Sequence, residues 1–226
     1  MFRRFLLLLL VFVVTSADAK EYKSLADALK NIATATSLNL SGQGLTTVSE
    51  DISKLVNLEK LNLSSNKLTA LPKGIFALKK LKKLNLTSNK LTALPSTIAS
   101  LRTLEELEIG FNQLSSLPKE MGKLVKLKRL VAMKNNLKTL PAEMSNIPWL
   151  EIVDFSYNHF VSIPFPLVAI NTLKTIDISF NKTLAEIPKE IRNLKQLRLL
   201  NLKGTKITAA QVDDLLWLVP NCQVLL

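Results

Sequence analysis

Leucine and its close relatives return along this chain at a fixed interval, and that interval leaves few folds open. Leu38, Leu61, Leu84, Leu107, Leu130, Val153 and Ile176 follow one another in steps of 23 residues, and Leu200 comes after a step of 24. The extra residue falls in Asn181-Lys182-Thr183-Leu184, one longer than Asn66-Lys67-Leu68. A constant period of this length marks a solenoid, in which each unit is one turn of a coil. In Leu61-Asn62-Leu63 apolar and polar residues alternate, so the two leucines face one way and Lys60 and Asn62 the other, as in a strand. One unit cannot bury its own leucines. Stacked units can, and their strands then form a parallel sheet over a continuous core.

The remainder of each unit supports this reading. Pro72, Pro95, Pro118, Pro141, Pro164 and Pro188 share one column, where a residue without an amide donor and with φ fixed suits an irregular return. With 23 residues to complete a circuit, that return is expected to hold short 3₁₀ or extended turns rather than long helices. Asn66, Asn89, Asn112, Asn135, Asn158 and Asn181 fill a second column, read as a structural ladder whose buried amides satisfy backbone groups of their own and the next unit. At the two ends this column holds Gln43 and Thr205.

The full unit reads Leu58-x-x-Leu61-x-Leu63-x-x-Asn66-x-Leu68-x-x-Leu71-Pro72-x-x-Ile75-x-x-Leu78. It resembles the leucine-rich repeat family, in its 23-residue LPxxIxxL class, similar to plant Ras-group proteins and many exported bacterial ones. The resemblance covers residues 36–207 as eight repeats. It implies an α/β solenoid of horseshoe shape, with a parallel β-sheet on the concave face and short 3₁₀ or irregular segments on the convex face. Ser24 ahead of Leu25, Ala28, Leu29 and Ile32 predicts an N-terminal capping helix within residues 20–35. A C-terminal cap is expected over 208–226, with a helix from Ala209 to Val219 and a rudimentary strand from Cys222 to Leu226. Cys222 stands where other units carry leucine, so a buried thiol is expected.

Residues 1–19 read as a cleaved export signal: Arg3 and Arg4, ten unbroken apolar residues from Phe5 to Val14, and Ala17-Asp18-Ala19 as the cleavage site. Ten apolar residues are about half of what a spanning helix needs, so no integral membrane span is expected. The mature chain, cut after Ala19, would be secreted or periplasmic and keep a net charge of +11. One cysteine cannot form an internal disulfide, and the cysteine-rich caps usual in extracellular animal relatives are missing. Asn39, Asn62, Asn85 and Asn181 each begin a glycosylation sequon. Three of them lie on the sheet face, which favours a bacterial source or binding confined to later repeats.

Function is read from the exposed columns of the sheet. Glu59, Lys82, Glu105, Lys128, Glu151, Lys174 and Arg198 mostly alternate in sign and predict a ladder of ion pairs that sets register. Two further columns are monotonous in the first three repeats and diversify from the fourth. One runs Ser37, Lys60, Lys83, Glu106, Arg129, Ile152, Thr175, Leu199; the other runs Asn39, Asn62, Asn85, Glu108, Val131, Asp154, Asp177, Asn201. A fourth column places Phe111, Lys134, Tyr157 and Phe180 just before the asparagines, either as aromatic anchors for a partner or as a seal over the edge of the core. A surface for another protein is expected on repeats 4–7, formed by Glu106, Glu108, Phe111, Arg129, Val131, Met133, Lys134, Ile152, Asp154, Tyr157, Asp177 and Phe180.

Other functions find little support. A single histidine, His159, leaves no His relay or His-rich metal site, and an open repeat surface provides no water-excluding pocket, so neither an enzyme nor a cofactor is expected. Asp154 and Asp177 on adjacent strands would welcome a cation, yet too few oxygens surround them for calcium. Lysine runs without interleaved aromatics, on an exported chain, argue against nucleic acid. The basic charge suggests a second partner class, an anionic surface such as an acidic polysaccharide, lipopolysaccharide or membrane.

Overall fold

The computed structural model describes residues 20–226. The expected export signal lies outside them. Ten strands form one open sheet, all parallel and in sequence order: β1 Glu21–Tyr22, β2 Ser37–Asn39, β3 Lys60–Asn62, β4 Lys83–Asn85, β5 Glu106–Glu108, β6 Arg129–Val131, β7 Ile152–Asp154, β8 Thr175–Asp177, β9 Leu199–Asn201 and β10 Gln223–Leu225. β2 to β9 are the strands of the eight repeats. Their register follows the sequence period, so that Lys60, Lys83, Glu106, Arg129, Ile152, Thr175 and Leu199 are successive cross-strand partners. The extra residue of the seventh repeat is absorbed in the loop and leaves Ile176 paired with Leu200.

The opposite wall of the core is made of short 3₁₀ turns, each opened by a proline in extended conformation (Pro72, Pro95, Pro118, Pro141, Pro188). In the first repeat Ser49 takes this place, and its hydroxyl accepts from the Asp51 amide. The sixth repeat differs, because Phe165–Val168 forms one α-helical turn, α2, with Pro166 tolerated in its first turn. Ile75, Ile98, Met121, Met144, Leu167 and Ile191 point inward from these turns and are fully buried against the strand leucines. Each such side chain contributes about 1.5–3 kcal/mol on burial. Gly122 lets neighbouring turns close up, since a Cβ there would collide with the Glu143 carbonyl.

Both ends are covered, and the N-terminal cap departs from expectation. Helix α1 spans only Leu25–Leu29, with the Ser24 hydroxyl accepting from the Asp27 amide. Ile32 lies beyond it and is exposed, because the chain turns at Lys30 and Asn31 Nδ2 donates back to the Asp27 carbonyl. The segment ahead of α1 is the strand β1, which pairs with β2. At the other end α3, Ala209–Leu218, carries a capping box between Thr208 and Gln211, and β10 closes the core. Cys222 is 5% exposed, and burial pushes its thiol up to about 11, so it stays protonated and unreactive. No helix among the described residues is long and apolar enough to cross a membrane.

Candidate functional site: the exposed face of the sheet

The asparagine column is occupied by backbone. Asn135 Nδ2 donates to the carbonyls of Ala132 in its own unit and Ile109 in the preceding one, while its Oδ1 accepts from the Leu114 amide. Asn66, Asn89, Asn112, Asn158 and Asn181 repeat this scheme, each tied to the preceding unit rather than the next. All six are buried. At the ends Gln43 Nε2 donates to the Lys23 carbonyl, and the Thr205 hydroxyl donates to the Leu202 carbonyl and accepts from the Ile207 amide. Asn181 is fully buried, which closes its sequon in the folded state.

A second scheme runs along the third strand position. The side-chain oxygens of Asn39, Asn62, Asn85, Asp154, Asp177 and Asn201 each accept from the amide two residues on, closing an Asx turn at the strand end. Repeats 4 and 5 break it, since Glu108 and Val131 hold those places. Glu108 instead accepts from Asn85 Nδ2 at 2.8 Å and lies 3.9 Å from Arg129. Lys83 pairs with Glu106 beside it. Asp154 and Asp177 are already served, by the hydroxyls of Ser156 and Ser179 and, for Asp177, by Asn201 Nδ2 at 2.8 Å. Their proximity therefore does not call for a cation, and among the described residues no group of three or more His, Cys, Asp or Glu is placed to hold a metal.

The outermost column is paired in twos. Lys82 meets Glu59, Lys128 meets Glu105, and Lys174 meets Glu151, each at 2.8–2.9 Å and each from the following repeat. The hydrogen bond from Lys128 holds the Glu105 carboxyl below its ordinary range and raises Lys128 in turn. Lys128 is exposed and Glu105 keeps about a third of its side chain in solvent, so these pairs set register more than they stabilise.

At the strand ends the chain passes through left-handed backbone in every repeat. Ser65, Ser88, Phe111, Lys134, Tyr157 and Phe180 have φ between 53° and 58°, and Gly42 and Gly204 occupy the ends of the same column. Side chains pay for this conformation with roughly 1–2 kcal/mol each, and the position turns them onto the rim of the sheet. Phe111, Tyr157 and Phe180 are 40%, 46% and 38% exposed. Tyr157 stacks on Phe180 with centroids 4.3 Å apart, and the Lys134 ammonium lies 4.9 Å from the Phe111 ring centre. Phe180 in turn lies over Gly204, where a Cβ would meet its ring at 2.8 Å.

The structure thus brings the expected residues together along repeats 4–7, with one correction. Val131 does not project: it is 8% exposed, a short branched side chain set between Glu108 and Asp154 in the register. Met133 and Ile152 are half-buried. A hollow of about 220 Å³ lies instead over the first half of the sheet, lined chiefly by Lys60, Asn62, Lys83 and Asn85, and it shares only Glu106 and Glu108 with the expected surface. Its far wall is Glu21 of β1, a strand that no repeat pattern announces. Val125 and Trp149 stand exposed on the opposite rim; the sequence carried a usable signal for both, an apolar residue in the column of Lys79 and Arg102 and another in the column of Lys80 and Lys126.

The model of a family described as a leucine-rich repeat region matches residues 7–134. Among solved structures, a leucine-rich repeat protein of Leptospira interrogans is 37% identical, with 91% of this chain and 58% of that one covered and a TM-score of 0.77. Internalin C2 of Listeria monocytogenes is 23% identical over 82% of this chain and 79% of its own, with a TM-score of 0.71. The plant peptide hormone receptor RGFR1, solved in complex with RGF2, is 24% identical over 84% of this chain and 35% of its own, at 0.64. The last two likenesses concern the fold alone. No curated protein matches the chain.

Proposed function

Because the chain belongs to the leucine-rich repeat family, whose domains are generally protein-interaction modules and typically non-enzymatic scaffolds, we propose that it is an exported, non-catalytic module that binds another protein through the sheet face of repeats 4–7. The observation that carries this reading is the interruption of the Asx-turn column at Glu108 and Val131. In six repeats that position serves the backbone. In two it does not, and there the face presents Glu106, Glu108 and Arg129 beside a rim of Phe111, Lys134, Tyr157 and Phe180. A half-buried apolar floor at Met133 and Ile152 within a charged frame is the composition of a protein-binding patch. Rim aromatics already held by stacking lose little freedom when a partner covers them.

The test is capture of a partner by residues 20–226, compared with variants Tyr157→Ala and Arg129→Ala. Both should weaken capture about 10- to 100-fold, the range of an interface hot spot. Equal losses from Lys60→Ala would move the site to the hollow of the first repeats.

A further inference from the structure

The net charge of the chain does not reside on the sheet face. In the inner columns Lys60, Lys83 and Arg129 stand against Glu106, Glu108, Asp154 and Asp177, nearly in balance. The excess lies on the back and rims, and part of it lines the rim where each unit leaves its 3₁₀ turn and enters its strand. Two columns define this leading rim: Val56, Lys79, Arg102, Val125, Pro148 and Asn57, Lys80, Thr103, Lys126, Trp149, with no carboxylate in either. Of the acids close by, Glu59 and Glu105 are matched to Lys82 and Lys128, while Glu120 and Glu143 border Lys123 on the side of the back. Among the described residues, none of Lys79, Lys80, Arg102, Lys123 or Lys126 pairs with a carboxylate.

The rim is built in rungs. The Thr103 hydroxyl donates to the Lys79 and Leu81 carbonyls of the unit before, and Lys79 Nζ donates to Phe76 and reaches toward the Ser100 carbonyl of the unit after. An open cleft of about 510 Å³ lies there, lined by Lys79, Arg102 and Lys123 with Ala99 and Ser100, and so by cations from three successive turns. Next along the same rim, Val125 is 45% and Trp149 60% exposed. Cations alone would suit any polyanion. Cations followed by an exposed valine and tryptophan on the same edge match an anionic lipid surface, where ammonium and guanidinium groups meet phosphates and an indole settles at the headgroup level.

We propose that the leading rim of repeats 3–6, centred on Lys79, Arg102, Lys126 and Trp149, docks edge-on to an anionic phospholipid bilayer and leaves the sheet face free for its protein partner. This gives the basic charge a place on the molecule, and it stands or falls separately from the reading of the sheet face, whose residues it does not use.

The experiment is co-sedimentation of residues 20–226, which hold all ten strands and the described end helices, with vesicles of phosphatidylcholine alone or mixed with phosphatidylglycerol. Binding is expected only to the mixed vesicles. The triple variant K79Q/R102Q/K126Q should lose about 100-fold in partitioning, at roughly a factor of five per cation. The triple variant K67Q/K90Q/K182Q removes the same charge from the other rim and should lose less than about threefold. In a Trp217→Phe background Trp149 becomes the only tryptophan, and its emission should shift to the blue on mixed vesicles. Equal losses from the two triple variants, binding to phosphatidylcholine alone, or binding to an acidic polysaccharide matching that to the mixed vesicles without a Trp149 shift would each overturn the proposal.

Discussion

Repeats 4 and 5 and the repeats on either side of them share one backbone and differ in what that backbone asks of its side chains. In repeats 1–3 and 6–8 the third strand position closes an Asx turn, and Asn or Asp is spent on that task. In repeats 4 and 5 the strand end goes without it, and Glu108 and Val131 stand there. The asparagine ladder beneath runs through both regions unchanged. A coil held by one set of side chains is thereby released, locally, from another.

The ladder gives the largest test of that separation. Asn135→Leu in the centre and Asn66→Leu in the flank each leave several buried backbone groups unpaired, and each should cost about 4 kcal/mol in urea unfolding. Clearly unequal costs would mean that the two regions do not share a scaffold. Next comes the rim: Tyr157→Ala should weaken partner binding by about 2 kcal/mol while changing stability by less, whereas Ser65→Ala should do neither. Left-handed backbone supplies a third comparison. Ser88→Gly should raise stability by about 1 kcal/mol, while Tyr157→Gly should gain almost nothing because it also forfeits the stack on Phe180. Restoring the flank pattern with Glu108→Asn should add about 0.5 kcal/mol of stability and reduce binding, a change visible in thermal melts against capture.

The smallest effect is electrostatic. Glu105 titrates lower in the folded chain than in the unfolded one, so its contribution is present above the ordinary glutamate range and is lost as pH falls through the folded value. Melts of the parent and Glu105→Gln should therefore converge on acidification, and ~0.5 M salt should shrink the gap at neutral pH.

How much of this was legible in the sequence follows from what repeats. The period fixed which residues share a row, and the rows at Lys60, Lys83, Glu106 and Arg129 are the observed pairing. Features without a repeat were hidden: β1 is two residues long with no copy elsewhere, and α1 stops short of Ile32 because a backbone turn intervenes. Val131 was expected on the surface because alternation gives a direction but not the height of its neighbours. The left-handed turns had a signal in the sequence, namely Gly42 and Gly204 at the two ends of the column that holds Phe111 and Tyr157.

The ordering of the sheet, each strand bonded only to its neighbours in sequence, has a mechanical consequence. Drawn apart by its two termini, the molecule has no strand pairing distant coils to resist the load. Rupture would advance from an end one loop at a time, each step releasing about 23 residues, or roughly 80 Å of slack, like thread leaving a bobbin.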